Sequence, residues 1–230
     1  QKKLADIYVE AENLDEAILW YKKAANNNDK ESSYKVGLIY EDLNNLEEAK
    51  KYYLMATDEN HLNAKLHLGR IYYEEGNLEE SKKMLDVCAN EKNAYAEHMV
   101  GLIYENYYND HTNAKYWYER SKNQGLVESI FNLGQISLKL EDDEVAKKYF
   151  KQGVELGNRD SEYMLAGLYL KKGRTMYKEL ADEGLFNSKD IYDSIPEFKL
   201  NTDSFLVPKF DEFIETKIEE EEYIPNYILD

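Results

Sequence analysis

The sequence of 230 residues has few of the side chains that metal centres and thiol chemistry require. Cys88 is the only cysteine, so no disulfide can form within the chain, which is compatible with a reducing compartment. The four histidines form neither a His-Glu-x-x-His motif nor a zinc-finger pattern: His61, His67, His98 and His111. We therefore expect no metal site, and we interpret Cys88 as a small buried residue.

Proline, glycine and long apolar runs are also scarce. With 3 prolines and 11 glycines the chain favours helices over sheet or coil, and the lack of a run of about 18 apolar residues predicts no membrane span. Basic residues are also fewer than acidic ones, with 29 lysines and arginines and 46 aspartates and glutamates. The resulting net charge of −17 argues against nucleic acid as a partner. With no glycine-rich phosphate loop either, we expect neither a cofactor nor catalysis.

One short motif recurs six times along the chain. It places a small residue after a large apolar one, at positions 5, 37, 69, 101, 134 and 166, so successive copies lie 32 or 33 residues apart. In the second copy Val36, Ile39 and Tyr40 share one face of a predicted helix, and Gly37 leaves room for another helix to approach. A fixed period of this size is typical of a solenoid, in which each unit buries its apolar face against its neighbours.

A second helix follows the first in each copy. In the second copy one stripe of that helix carries four residues: Ala49, Tyr52, Tyr53 and Ala56. The turn before it, residues 45–48, begins with an asparagine and ends with two acids, which cap the helix and complement its dipole. The same explanation covers the acidic run at residues 141–144, so no catalytic pair of carboxylates is predicted. Each repeat is therefore a pair of short antiparallel helices.

One series of packing residues resembles the signature of the tetratricopeptide repeat superfamily: Gly37, Tyr40, Ala49, Tyr53 and Ala56. Second helices such as residues 20–25 and 114–121 are similar to the Sel-one-like branch, whose hallmark is a Trp-Tyr-x-x-Ala string. The period is shorter than is usual for tetratricopeptide repeats, and the Gly-rich turn of Sel-one-like units is missing, so the branch stays open. The resemblance implies an all-α, right-handed superhelical solenoid of five to six antiparallel helix pairs with a divergent C-terminal segment.

The repeats end before the chain does. We assign residues 1–184 to the solenoid, with a shortened sixth unit in which residues 176–184 resemble residues 149–157 about five positions early. Residues 185–230 carry no copy of the motif and hold 12 acids against 4 lysines. They form the second predicted region, an acidic C-terminal segment.

The acidic segment has a partial helical pattern. Phe210, Phe213 and Ile214 fit one face of a predicted helix that begins near Pro208. We expect the segment to cap the last repeat, since terminal repeats need a polar outer face. The alternatives are docking in the binding groove or on a partner, and disorder, which residues 219–222 favour most.

The start of the chain suggests that part of the protein lies upstream. Gln1 is not an initiator methionine, and the motif reaches Ala5 without the first part of its helix. We expect that the true N-terminus, with any export signal, precedes Gln1. The residues at hand favour a cytoplasmic location.

In solenoids of the tetratricopeptide type, the first helix of each pair lines the concave face with residues not used for packing. These residues stand three before, one after and four after the small residue of each copy. The predicted groove comprises thirteen of them: Tyr34, Leu38, Glu41, Leu66, Arg70, Tyr73, His98, Leu102, Glu105, Phe131, Gln135, Leu138 and Tyr163. The mixture of aromatic and aliphatic side chains with few charges favours a protein or peptide ligand. Alternatively, Tyr34, Phe131 and Tyr163 belong to the core between helices.

Three functional hypotheses follow from this organisation. The first is a protein–protein interaction module, a scaffold or adaptor, that holds a protein or peptide partner in the concave groove. The second is an acidic inhibitor or immunity-type protein that masks a basic effector, because charge complementarity selects basic partners. The third is a structural spacer in a larger protein. Salt separates the first two, since binding through charge weakens steeply as the salt concentration rises.

Overall fold

The computed structural model describes residues 1–57, 61–184, 188–195 and 197, and within these ranges the chain forms twelve helices and no strand. In chain order the helices are α1 (Lys2–Glu10), α2 (Leu14–Ala25), α3 (Lys30–Asp42), α4 (Leu46–Ala56), α5 (Leu62–Glu74), α6 (Leu78–Asn90), α7 (Ala94–Asn106), α8 (His111–Lys122), α9 (Val127–Lys139), α10 (Asp143–Glu155), α11 (Arg159–Asp182) and α12 (Ser188–Ser194). The first ten helices follow one another as five pairs. The predicted all-α solenoid of helix pairs is confirmed.

The chain divides into two compact units, and the division falls near the end of α7, between Ile103 and Tyr104. In unit 1, two clusters of buried apolar side chains each draw on consecutive repeats. The first cluster consists of Ala5, Ala17, Tyr21, Val36 and Tyr52. The second consists of Tyr34, Ala49, Tyr53, Ala56, Ala64, Leu68 and Ile71. A single helix pair therefore does not bury its apolar surface alone, as the repeat predicted.

Small residues allow the two helices of a pair to approach closely. A Cβ atom added at Gly37 would lie 2.5 Å from the ring of Tyr53, and one added at Gly134 would lie 2.5 Å from the ring of Phe150. Carbon atoms that are not bonded prefer separations of about 3.5–4.0 Å, so a side chain at either glycine would push the helices apart. Three pairs share this arrangement, with the large residue sixteen positions after the glycine: Gly37 with Tyr53, Gly69 with Leu85, and Gly134 with Phe150.

The turns contain a periodic feature of the backbone that the sequence did not predict. A residue with positive φ occurs in the turn within each pair: Glu12, Asn44, Gly76, Asn109 and Glu141. These residues are again 32 or 33 positions apart. The left-handed residue lies two positions after the end of four first helices and three positions after the end of α7, and this conformation is least costly for glycine.

Capping by asparagine follows at two of the three predicted turns. The side chains of Asn13 and Asn45 each accept a hydrogen bond from a backbone N–H in the first turn of the next helix. The Asn77 side chain instead donates to Glu75 Oε2 at 3.0 Å. Asn77 therefore correctly predicted where α6 begins, but its side chain does not make the expected capping hydrogen bond.

The sixth repeat differs from the prediction of a shortened helix pair. Its two expected helices are one continuous helix, α11, which runs for 24 residues. The other pairs turn at a left-handed residue that is followed by an Asn or Asp cap, and residues 171–175 contain neither. Gly173 alone does not stop the helix, because a glycine inside a helix is unfavourable by only about 1 kcal/mol.

The short helix α12 packs against α11 in unit 2. The guanidinium carbon of Arg174 lies 4.5 Å from the centre of the Tyr192 ring, and Nη1 of Arg174 donates to the carbonyl oxygen of Ile195. Residues 188–195, which belong to the predicted acidic segment, thus contact the last repeat. The helix predicted near Pro208 lies outside the described residues.

Candidate functional site

Eight of the thirteen residues predicted to line the groove are buried: Tyr34, Leu66, His98, Leu102, Glu105, Phe131, Gln135 and Leu138. The ring centres of Tyr34 and Tyr53 are 5.8 Å apart, and those of Phe131 and Phe150 are 5.7 Å apart. Tyr34 and Phe131 thus pack against second helices, as the alternative interpretation expected. Tyr163 is 59% exposed on α11. A role of these residues in binding a partner stays a prediction.

The other four predicted groove residues lie together in unit 1. Leu38, Glu41, Arg70 and Tyr73 are half-buried on α3 and α5. Two residues of α1 occupy equivalent repeat positions and are also half-buried. We call this set the first-helix face of unit 1: Asp6, Val9, Leu38, Glu41, Arg70 and Tyr73. Ion pairs join its helices, since Lys35 contacts Asp6 at 3.0 Å and Arg70 contacts Glu41.

Glu41 is the centre of a hydrogen-bond network on this face. Oε1 of its carboxylate accepts from Arg70, and Oε2 accepts from the Tyr53 hydroxyl. Nδ1 of His67 lies 2.9 Å from the same Oε2 atom. Arg70 is held in turn by Glu74, four residues along α5. The carboxylate is thus fixed by three elements of the fold, α3, α4 and α5.

The network assigns a tautomer to the buried His67. Its Nδ1 faces the Glu41 carboxylate, which accepts hydrogen bonds only, so Nδ1 carries the proton. Its Nε2 lies 3.3 Å from the hydroxyl oxygen of Tyr34. The sequence interpretation of His67 as a scaffold residue agrees with these contacts.

The environment of Glu41 keeps it ionised. Burial favours the neutral acid, but hydrogen bonds from His67 and Tyr53 and the charge of Arg70 outweigh burial and lower the pKa of Glu41 from 4.5 to about 2. Burial and the nearby carboxylate raise the pKa of Tyr53, so its hydroxyl keeps its proton and donates. A permanent negative charge therefore lies on the first-helix face, with its cation supplied from within the protein.

Asp6 repeats this arrangement at the start of the chain. Its Oδ1 atom accepts from the Tyr21 hydroxyl and from Lys35 of the next repeat. Burial opposes its ionisation, but these two hydrogen bonds prevail and lower the pKa of Asp6. Tyr21 stands in its repeat where Tyr53 stands in the second. The same three chemical groups, a tyrosine, an acid and a cation, thus recur one repeat apart.

Unit 2 contains a buried version of the arrangement. Glu105 accepts from the Tyr118 hydroxyl at 3.0 Å and from Lys139 at 3.1 Å. Here burial dominates over Lys139 and Tyr118, and the pKa of Glu105 is raised. Glu105 was predicted to line the groove, and the structure shows it buried.

Sequence reasoning missed the tyrosine hydroxyls, although a signal was available. The large residue of the second helix is Tyr21, Tyr53 and Tyr118 in three repeats, and each of these repeats has an acid one or four positions after its small residue. Leu85 and Phe150 replace tyrosine in the other two, where those positions hold no acid. Because these tyrosines were interpreted only as packing residues, the hydrogen bonds from their hydroxyls to the acids were not predicted.

Acids in the first turn of second helices are paired with lysines three residues further on. Glu47 contacts Lys50 at 3.3 Å, and Glu48 contacts Lys51 at 3.4 Å. The same spacing recurs at Glu80 with Lys83 and at Glu144 with Lys147. Such exposed pairs stabilise helices by only about 0.2–0.5 kcal/mol, but they reduce the negative charge that second helices present. They do not favour the inhibitor hypothesis.

Cys88 agrees with its interpretation as a small buried residue. It is 1% exposed, and its Sγ lies 3.4 Å from the carbonyl oxygen of Leu62. Burial raises the pKa of the thiol to about 12, so the reactive thiolate is not formed near neutral pH. Across the described ranges, no cluster of three or more metal-binding side chains occurs, and no helix is both long and apolar enough to span a bilayer.

Comparison with known proteins gives the same class as the geometry, a solenoid of helix pairs. Solved structures with a similar fold include MamA, with a TM-score of 0.58, 23% identity and coverage of 69% of this chain and 97% of that one. The c5321 protective antigen of uropathogenic Escherichia coli strains, described as having an SLR fold, has a TM-score of 0.59 and 18% identity over 84% of this chain and 48% of that one. A Sel1 repeat protein from Oxalobacter formigenes has a TM-score of 0.51 and 18% identity over 84% of both chains.

The sequence profile of the tetratricopeptide repeat matches residues 3–31, 30–60, 62–90 and 127–157, just over half of the chain. The chain therefore belongs to the tetratricopeptide repeat family. None of the curated proteins compared with the chain matches it. Repeats of this family generally mediate protein–protein interactions and are typically not catalytic.

Proposed function

We propose that the chain is a protein-interaction module that binds an extended or helical segment of a partner protein on the first-helix face of unit 1. The observation that carries this proposal is the uniform partial exposure of that face: all six of its residues, on α1, α3 and α5, are half-buried. Half-buried side chains can contact a ligand and are already fixed by the fold. Rows of this kind on successive repeats give the extended surfaces that solenoids use for binding.

The chemistry of the face indicates what it binds. Val9, Leu38 and Tyr73 supply apolar area, whereas the charges of Glu41 and Arg70 are already paired with each other. A ligand therefore gains most from apolar and aromatic side chains placed between the fixed charges. Since the charged side chains are already ordered, little rotamer entropy is lost on binding. Binding should depend only weakly on salt.

A library of random peptides displayed on phage tests the proposal without knowledge of the natural partner. Peptides are selected on the wild-type chain and measured again on a Leu38→Ala, Tyr73→Ala double variant. Interface anchors contribute at least about 2 kcal/mol each, so we expect the selected peptides to lose about thirtyfold or more in affinity. The matched control is Leu54→Ala with Val87→Ala, which truncates two exposed side chains on the second helices α4 and α6.

Thermal melting of all three proteins establishes that the variants are folded. Peptides that bind the Leu38, Tyr73 double variant as tightly as wild type would contradict the proposal. Peptides lost from the Leu54, Val87 control instead would move the binding surface to the second helices. A steep fall in affinity between low and high salt would contradict the predicted apolar character of the contact.

A further inference from the structure

The last long helix has an apolar surface that the proposed function does not use. Tyr163, Tyr169, Leu170 and Met176 of α11 are 59, 49, 40 and 54% exposed. On a helix with 3.6 residues per turn they fall within an arc of about 140°. The opposite side of α11 packs into the core of unit 2. Exposed apolar surface of this extent on one helix marks a site of contact with another segment.

Cations surround this surface in a chain that is otherwise strongly acidic. Four cations and no acid occur between residues 170 and 178: Lys171, Lys172, Arg174 and Lys178. Lys171 is paired with Asp143 at 2.6 Å. Lys172 and Lys178 make no ion pair with any residue in the part of the chain that the structure describes, and they fall on either side of the apolar arc. The surface therefore fits an amphipathic ligand with acidic flanks.

We propose that the apolar, cation-flanked face of α11 binds residues 208–222 of the same chain. Between these positions the sequence has seven acids and two lysines, a net charge of −5 against the cations of α11. Its apolar residues, Phe210, Phe213, Ile214 and Ile218, have the i, i+3, i+4, i+8 spacing of one helical face. The segment thus has the complementary pattern, apolar along one side and acidic elsewhere.

The length of the chain allows this contact. Glu197 lines a groove between α11 and α12, together with Leu170 and Arg174, so the chain leaves the described structure beside the proposed site. The eleven residues from Glu197 to Pro208 reach up to about 36 Å when extended. The stretch of α11 from Tyr163 to Lys178 is about 22 Å long, as is a helix of the fifteen residues 208–222.

Tethering favours this occupant over a separate acidic protein. A ligand joined by a short linker experiences an effective concentration in the millimolar range, which a free partner rarely reaches. Burial of the face of α11 would also stabilise the sixth repeat. This inference is independent of the binding function proposed for unit 1, and its test uses no peptide ligand.

Zero-length cross-linking of the full chain tests the contact directly. Carbodiimide couples a lysine amine to a neighbouring carboxylate, and an equal mixture of ¹⁴N- and ¹⁵N-labelled chains separates links within a chain from links between chains. We expect links within one chain from Lys172 or Lys178 to acids of residues 208–222. The Lys171–Asp143 pair is an internal control that should link in every sample.

Two outcomes of the cross-linking overturn the proposal. Links from Lys172 and Lys178 that join only light to heavy chains would show a second copy as the occupant. Formation of the Lys171–Asp143 link without any link to residues 208–222 would show that these residues do not bind the face of α11.

Hydrogen exchange of the full chain gives a second, independent measurement. A Phe213→Asp, Ile214→Asp variant should lose the protection of slowly exchanging amides between residues 163 and 178, because the apolar side of the ligand is disrupted. The matched control, Ile224→Asp with Ile228→Asp, changes two apolar residues beyond the proposed segment and should leave that protection unchanged. Equal exchange of α11 in wild type and both variants overturns the proposal.

Discussion

The hydroxyl of Tyr53 donates a hydrogen bond to the carboxylate of Glu41, and this bond joins the two helices of the second repeat. The same carboxylate accepts from Arg70, which belongs to the third repeat. One acid thus connects its own helix pair to the next one. The relationship recurs in two further repeats: Tyr21 and Lys35 at Asp6, and Tyr118 and Lys139 at Glu105.

The first prediction concerns acid stability and Glu41. The pKa of Glu41 is about 2 in the folded chain and near 4.5 without the fold, so the unfolded chain binds more protons between these values. The stability contributed by Glu41 is therefore complete above about pH 4.5 and is lost as pH falls through about 2. A Glu41→Gln variant should be less stable at pH 7 by about 1–3 kcal/mol and should lose less stability on acidification. Urea unfolding at pH 7, 4.5 and 3 measures both effects.

The second prediction concerns Glu105, where the sign is opposite. Because burial raises the pKa of Glu105, the folded chain binds more protons than the unfolded chain just above the ordinary pKa. Its contribution is therefore present at low pH and decreases as pH rises through the folded pKa. Glu105→Gln removes the buried charge and keeps one of the two acceptor oxygens, so only Tyr118 or Lys139 retains its hydrogen bond. Because the buried charge is removed, we expect less destabilisation at pH 7 than for Glu41→Gln, or a net gain. A larger loss for Glu105→Gln in the same urea series would contradict the assignment of burial as the dominant cause.

The third prediction concerns the close approach of paired helices. Gly134→Ala places a methyl group against the Phe150 ring, which is fully buried and cannot move without disturbing the core. We expect a loss of about 1–3 kcal/mol from overpacking. Gly69→Leu should destabilise by a similar or larger amount through contact with Leu85. Unchanged melting temperatures in both variants would contradict the packing role of the small residues.

The fourth prediction is the opposite effect at a glycine with open space. A Cβ added at Gly173 has no neighbour within 4 Å, and Gly173 lies inside α11. Gly173→Ala should therefore stabilise the chain by about 0.5–1 kcal/mol, because glycine loses more conformational freedom than alanine when a helix forms. Calorimetry should show a higher melting temperature than wild type. A lower one would indicate that the helix is interrupted there, as in a helix pair.

The fifth prediction concerns the left-handed turn residues. Glu141 has φ of 59°, a conformation that costs a residue with a side chain about 1–2 kcal/mol. Glu141→Gly should stabilise the chain by about 0.5–1 kcal/mol, since glycine removes that cost but adds entropy to the unfolded chain. The matched control is Glu162→Gly inside α11, which should destabilise by about 1 kcal/mol. Chemical unfolding that shows a loss of stability for both would contradict the turn assignment.

Much of the fold followed from local patterns in the sequence. The positions of Gly37 and Tyr53 predicted a close helix pair, and the structure has that contact. The single helix α11 could not be predicted from the similarity of residues 176–184 to a second helix. The similarity predicts that residues 176–184 are helical. A helix pair also requires a turn, and the sixth repeat lacks the turn residues of the other repeats.

Sequence periodicity did not predict which residues of the predicted groove are buried. Leu38 and Leu102 occupy the same position of the repeat, yet Leu38 is half-buried and Leu102 is fully buried. Periodicity predicts which face of its helix a side chain occupies, but it does not predict whether other parts of the chain bury that face. The first-helix face of unit 1 could therefore be proposed only once burial was known.

The repeat, the helix pairs and the small residues between them could be predicted from the sequence alone, because each depends on contacts within about 32 residues. Tertiary structure decided the ionisation of the acids. Glu41 and Glu105 occupy equivalent positions of their repeats, but one pKa is lowered and the other raised. The difference arises from the balance between burial, which favours the neutral acid, and the hydrogen bonds and cations that neighbouring helices bring to it. That balance is a property of the assembled helices and is not contained in any one repeat.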